Sequence, residues 1–190
     1  MQSGANLLFI ERNYPTQLVP NRDVGVQLQG DLLAGGLRYE VGVFNGVANG
    51  GSGDNEQADD EKDVAARLFA TPFVTTDNDV LRGLGFGVAG TIGEQDGALR
   101  TFVTPGQQTF FTYTTGAGTV AAPNVAANGK IWRVSPQAYY YFGPFGILGE
   151  YAYSAQEITQ TAGPTLTSDT LRHKAWQVAA SWFVTGEDNS

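Results

Sequence analysis

Arginine, glutamate and glutamine recur in this chain with the two-residue spacing that places side chains on one face of an extended strand. Arg38 and Glu40 flank Tyr39, Arg67 sits between Ala66 and Leu68, and Arg133 and Gln137 bracket Ser135. Glu150 and Gln177 hold similar places further on. Guanidinium groups, carboxylates and amides along a wall do chemistry without bond breaking. Fixed positive charge and hydrogen-bond donors facing a water-filled lumen favour anions, whereas mixed charge gives a transverse field and weak selectivity. Arg38, Glu40, Arg67, Arg133, Gln137, Glu150 and Gln177 are therefore the candidate lining residues. The plainer role for the same charges is to pair across strands and stiffen the wall.

Other charged groups offer less. Arg12 and Arg22 precede the first strand, where a segment folded into a pore would carry them. Arg172, His173 and Lys174 are contiguous and suit either a basic mouth that gathers anions or a solvated strand end. The acidic run Asp54–Asp63 suits divalent cations between lipopolysaccharide molecules, but it lacks the ordered spacing of a calcium loop, so a solvated loop is the expectation. Enzymatic signals are poor: the chain has one His and no Cys, and neither G-x-S-x-G nor H-E-x-x-H occurs. Gly83-Leu84-Gly85-Phe86-Gly87 lacks the helix that a dinucleotide loop needs. No enzyme, cofactor or metal is expected.

Period-two alternation marks seven strands, at about 22–30, 37–45, 62–71, 83–93, 130–142, 145–157 and 171–184. Leu37, Tyr39, Val41 and Val43 oppose Arg38 and Glu40; Phe86 and Val88 oppose Gly85 and Gly87. Ile147 and Tyr151 oppose Leu148 and Glu150, and Trp176 and Val178 oppose His173 and Gln177. The connections alternate in length. Asp31–Gly36, Pro72–Arg82 and Gly143-Pro144 are short, whereas 46–61, 94–129 and 158–170 are long and polar. Thr109–Thr114 offers a short strand inside the second long link. Outer-membrane barrels sort their connections this way, with short periplasmic turns and long extracellular loops. Aromatics gather near strand ends, Tyr140, Tyr141, Phe142 and Phe145 at one turn and Trp182 and Phe183 at the matching depth, as an interfacial girdle requires.

Composition agrees with one apolar and one polar face: charged residues are 16%, aromatics 12% and glycines number 25. No apolar run approaches the roughly 18–20 residues of a spanning helix, so a membrane role implies strands. The net charge of −8 excludes the basic footprint that nucleic acid requires. Met1–Asn6 lacks a basic region followed by an apolar run, so any leader was removed or the chain is a piece of a longer protein.

Several segments in order resemble one family. They are Glu11-Arg12 with Pro15 and Leu18-Val19-Pro20; Gly25-Val26-Gln27-Leu28; Tyr39-Glu40-Val41-Gly42-Val43-Phe44-Asn45-Gly46; and Ala66-Arg67-Leu68-Phe69-Ala70-Thr71-Pro72-Phe73. Gly83-Leu84-Gly85-Phe86-Gly87, Ser135-Pro136-Gln137-Ala138-Tyr139-Tyr140-Tyr141-Phe142-Gly143-Pro144-Phe145-Gly146 and the stretch from Ala175 to Glu187 continue the series. Together they resemble the phosphate-selective porin O and P family of outer-membrane channels. The resemblance implies a homotrimer of 16-stranded antiparallel transmembrane barrels in the bacterial outer membrane, in contact with its lipid and passing small anions, phosphate in the best-known members. Seven strands cannot close such a barrel, so residues 1–190 are expected to be an internal fragment forming one partial barrel domain. The segment has few basic residues to match the arginine ladder that phosphate-selective members share. Two rivals remain: a soluble or cell-surface β-sandwich that binds ligands with its long loops, and a structural outer-membrane barrel without conductance.

Overall fold

The computed structural model describes residues 13–52, 61–104 and 108–187. Within them the protein is all-β, and the seven expected strands form one antiparallel sheet. The strands are β1 (Gly25–Leu32), β2 (Leu37–Phe44), β3 (Asp63–Ala70), β4 (Leu84–Ala98), β7 (Asn124–Phe142), β8 (Phe145–Ala162) and β9 (Thr165–Trp182). A separate hairpin pairs β5 (Phe102–Val103) with β6 (Thr109–Phe111). The sheet runs β1-β2-β3-β4-β7-β8-β9, so β1 and β9 are its outer strands and the described sheet is open.

The strands lengthen toward one side. β1, β2 and β3 have 8 residues each, while β7, β8 and β9 have 19, 18 and 18. The extra length corrects one expected loop. Residues 158–170 are the ends of β8 and β9 in continuous register, from Ile158↔Asp169 to Ala162↔Thr165, joined by Gly163-Pro164. Gly143-Pro144 makes the same turn between β7 and β8. In both, glycine supplies a positive φ, +64° at Gly163 and +52° at Gly143, and proline's fixed negative φ follows. The Thr-rich arms lack apolar alternation even though Ile158 and Thr159 are buried, and threonine still favours the extended chain. The link after β4 shortens likewise to residues 99–123 and holds the β5–β6 hairpin, whose second strand overlaps the short strand expected at Thr109–Thr114.

Every strand presents the two unlike faces expected from its alternation. On one face, Val26, Leu28, Val41, Val43, Val64, Leu68, Phe86, Val88, Ile92, Ile147, Trp176 and Val178 are all exposed. On the other, polar side chains lie partly beneath chain that folds back over them. A 3-10 turn at Tyr14–Gln17 leads into a segment joined to residues 50–52 by Gly50 N–H donating to Val19 O at 3.0 Å and Asn21 N–H donating to Gly51 O at 2.7 Å. Arg22 bridges to Ser52 beside them. Leu18 and Phe102 are buried against Ala152 and Ala175, with Tyr14, Val19 and Tyr113 around them. This small apolar cluster sits on the polar face, and Val47 and Ile131 are buried outside it. The large apolar face has no cover among the described residues.

Candidate functional site

Backbone register collects six of the seven candidate residues into two adjacent rows across the polar face. One row runs Arg38, Phe69, Gly87, Gln137, Glu150, Gln177, each paired with the next. The other runs Gln29, Glu40, Arg67, Ala89, Ser135. Side chains link the rows. Arg38 Nε lies 3.0 Å and Arg67 Nη1 3.3 Å from the same Glu40 oxygen, Oε1. Gln29 Oε1 accepts from Arg38 Nη2 at 3.4 Å. At the far end Glu150 accepts from Ser135 Oγ at 3.1 Å and from Gln177 Nε2 at 2.8 Å.

This belt carries mixed charge. Arg38 and Arg67 share the Glu40 carboxylate, and Asp31 on β1 stands in register opposite Arg38, so these four charges balance, while Glu150 adds a negative charge on β8. Arg38, Arg67 and Glu40 keep 47%, 30% and 23% of their side-chain surface, so solvent and small ions reach them. Arg67 also lies over the Phe69 ring, 4.9 Å from its centroid, which holds the guanidinium flat against the wall. Phe69 and Tyr139 meet above the β4 glycines with ring centroids 5.5 Å apart. A Cβ at Gly85 would come within 2.5 Å of the Tyr139 ring, so β4 is bare there to let the rings lie down. The belt is thus pre-positioned by packing as well as by charge.

Arg133 is the seventh candidate, and the structure removes it from the open lining. It lies one row further along, paired with Thr91 on one side and Ser154 on the other. Its side chain is 1% exposed. Nε donates to Asn49 Oδ1 at 2.6 Å, Nη1 to Asp63 Oδ2 at 3.3 Å and to Thr91 Oγ1 at 3.1 Å, and Nη2 to Val47 O at 2.8 Å. Ser154 Oγ stands 2.9 Å from Asn49 Nδ2. A guanidinium so occupied holds residues 47–49 down on the sheet and has little left to offer a solute.

The basic triplet at 172–174 is also split. Pleating sends His173 to the polar face and leaves Arg172 and Lys174 exposed on the apolar one. His173 Nε2 meets Tyr113 Oη at 2.8 Å, and its ring packs 5.2 Å from that of Phe102. Burial, aided by the neighbouring Tyr14 phenol, pushes the Tyr113 hydroxyl up to about 12, so it keeps its proton at neutral pH. His173 therefore anchors the link between β4 and β7 to β9. Asp63, expected in a solvated acidic run, is buried at 3% exposure beside Arg133. Arg12 and residues 54–60 of that run lie outside the described residues.

Asn49, Thr91, Ser154 and Tyr113 carry these anchors, and sequence spacing did not single them out. Their partners lie far apart along the chain, Asn49 and Ser154 by 105 residues. The one available signal was Asn49 inside a glycine-flanked loop. No helix of the described residues is long and apolar enough to cross a membrane, which leaves strand-crossing open. Comparison with protein-family profiles, curated proteins and solved structures returned no match.

Proposed function

We propose that the chain forms part of the wall of a bacterial outer-membrane channel that passes small hydrophilic solutes, anions among them, by diffusion. The observation that carries this reading is the inversion of the two faces. Between the turn end of the sheet and the level of Trp132 and Tyr153, where Lys174 and Arg172 stand on β9, the apolar face carries no charged side chain. Exposed apolar patches beyond a few hundred Å² mark interfaces with protein or membrane.

Its height and borders fit lipid. Phe145 and Trp182 stack with centroids 5.9 Å apart near the short turns, beside Phe142. Trp132 and Tyr153 pack 4.9 Å apart at the other border. Trp132 and Phe142 are roughly ten residues apart on β7, about 34 Å along a strand and about 24–28 Å vertically at the usual barrel tilt. That is the height of an outer-membrane apolar band flanked by aromatic girdles. Further strands, from the rest of a longer chain, would pair with β1 and β9, because lipid tolerates no open sheet edge. Assembly as a homotrimer and phosphate as a cargo belong to the same proposal.

Solute selection falls to the open belt, where Arg38 and Arg67 are the cationic groups and Asp31 and Glu40 stand beside them. The inward-folded segments at 14–22 and 47–52 narrow the polar side above it. The test is the zero-current potential of the intact protein in a planar bilayer under a potassium chloride gradient. An anion-selective sign that shrinks when Arg38 and Arg67 are both changed to Gln is the expected result. A cation-selective sign would refute the anion assignment and leave the channel. Folded, inserted protein without conductance would refute the channel and favour a structural barrel. Solubility without detergent would favour the sandwich.

A further inference from the structure

At the aromatic border, the apolar face changes character within one strand. The outward positions of β9 run Arg172, Lys174, Trp176, Val178, Ala180, Trp182, all exposed. Lys174 pairs with Tyr153, and Arg172 pairs with Ala155, whose other neighbour is Trp132. The two cations thus sit at the level of the Trp132–Tyr153 ring pair. Neither makes an ion pair with any described residue. The acids on this face lie toward Lys130 instead: Glu94 pairs with it across β4 and β7, and Glu157 accepts its backbone N–H at 3.0 Å. An apolar lane therefore ends in two cations without ion-pair contacts among the described residues, Glu157 standing one row beyond Arg172, on the side of the long connections.

We propose that Arg172 and Lys174 bind the phosphate of an anionic membrane lipid whose acyl chain lies along Trp176, Val178 and Ala180. The proposal rests on the membrane reading above. The chemistry favours a lipid over a free ion because charge and grease are contiguous. Arginine's planar fork engages two phosphate oxygens, and lysine adds a point charge. Two residues along a strand separate the two stems by about 7 Å, a span that one phosphate bridges. Both side chains are long enough to lay their methylenes on the apolar wall while their heads reach the headgroup layer. Tyr153 and Trp132 would fix the depth, as interfacial aromatics do.

The intact protein can be reconstituted in phosphatidylcholine vesicles with and without phosphatidic acid, and retained lipid counted by native mass spectrometry after extraction in mild detergent. Wild type is expected to insert in both and to retain phosphatidic acid selectively. R172Q/K174Q should insert equally well and retain roughly tenfold less, R172K should fall between, and K130Q should match wild type. Equal retention by the double variant would overturn the site. Displacement of the lipid by millimolar inorganic phosphate would make it an ion site and overturn the lipid assignment. Failure of wild type to insert would refute the membrane reading itself, a result distinct from either.

Discussion

Arg67 and Arg133 face the same side of one sheet, in adjacent rows, yet they do opposite work. Arg67 keeps 30% of its side-chain surface and shares one carboxylate with Arg38; Arg133 keeps 1% and spends its donors on four partners. The difference comes from what covers them. Val47 and Asn49 bond to Arg133, while Arg67 contacts Glu40 and the Phe69 ring of the wall itself. An open charge acts on what passes, and a covered one acts on the chain that covers it. The two are separable by experiment.

Arg133→Ala should give the largest effect. It would leave Asp63 buried without its cation and Val47 O and Asn49 without their donor, at a cost of about 3–5 kcal/mol. Arg67→Ala, at an exposed pair, should cost no more than about 1 kcal/mol. Denaturant unfolding in detergent measures both, and limited proteolysis within 47–52 should rise only for the Arg133 variant. Comparable stability losses would mean that both arginines are structural and that the open belt is not a lining.

The same contrast extends to the two faces. Leu68→Arg would put a cation inside the apolar band, costing about 2–4 kcal/mol if that face meets lipid, and Val41→Arg, in the row of Tyr153, no more than that. Gln27→Arg, on the polar face of neighbouring β1, should stay within about 0.5 kcal/mol. Insertion yield into vesicles reports all three. A tolerated Leu68→Arg would reverse the face assignment.

These faces were legible in the sequence because period two fixes them once a strand is recognised. Leu37, Tyr39, Val41 and Val43 fell opposite Arg38 and Glu40 as alternation requires, and the β7–β9 faces followed the same rule. Alternation says which way Arg133 points but not what lies above it. The cover comes from loops whose backbone has no period, and its anchors join residues as distant as Asn49 and Ser154. The arms at 158–170 were missed for a related reason: beyond the apolar band neither face is greasy, so the pattern that reveals a strand disappears. The Gly163-Pro164 turn, a repeat of Gly143-Pro144, was the signal available there.

A smaller effect tests how the open belt is built. Gly85→Ala places a methyl group within 2.5 Å of the Tyr139 ring, and forcing that ring aside should cost about 1–3 kcal/mol. Because Tyr139 packs on Phe69 and Phe69 carries Arg67, the substitution should also alter the zero-current potential. A stability loss without a change in selectivity would uncouple the rings from the cationic groups.

The smallest expected effect asks whether the cover is one unit or two. Residues 47–49 hang on Arg133, whereas the link holding Phe102 and Tyr113 hangs on His173. Tyr113→Phe deletes the 2.8 Å contact with His173 and should cost about 0.5–1.5 kcal/mol. The wild-type contribution also has a defined pH window. Burial raises Tyr113 from its ordinary value near 10 to about 12, so its stabilisation is complete below pH 10 and is lost as pH climbs toward 12. In Tyr113→Phe that alkaline loss should vanish. Hydrogen exchange resolved by segment supplies the decisive readout. Faster exchange confined to 99–113 would mean two independent flaps over one wall. Equal loosening at 47–52 would mean that Leu18 and Phe102, packed together in the small cluster, bind both into a single lid that Arg133 and His173 hold from opposite ends.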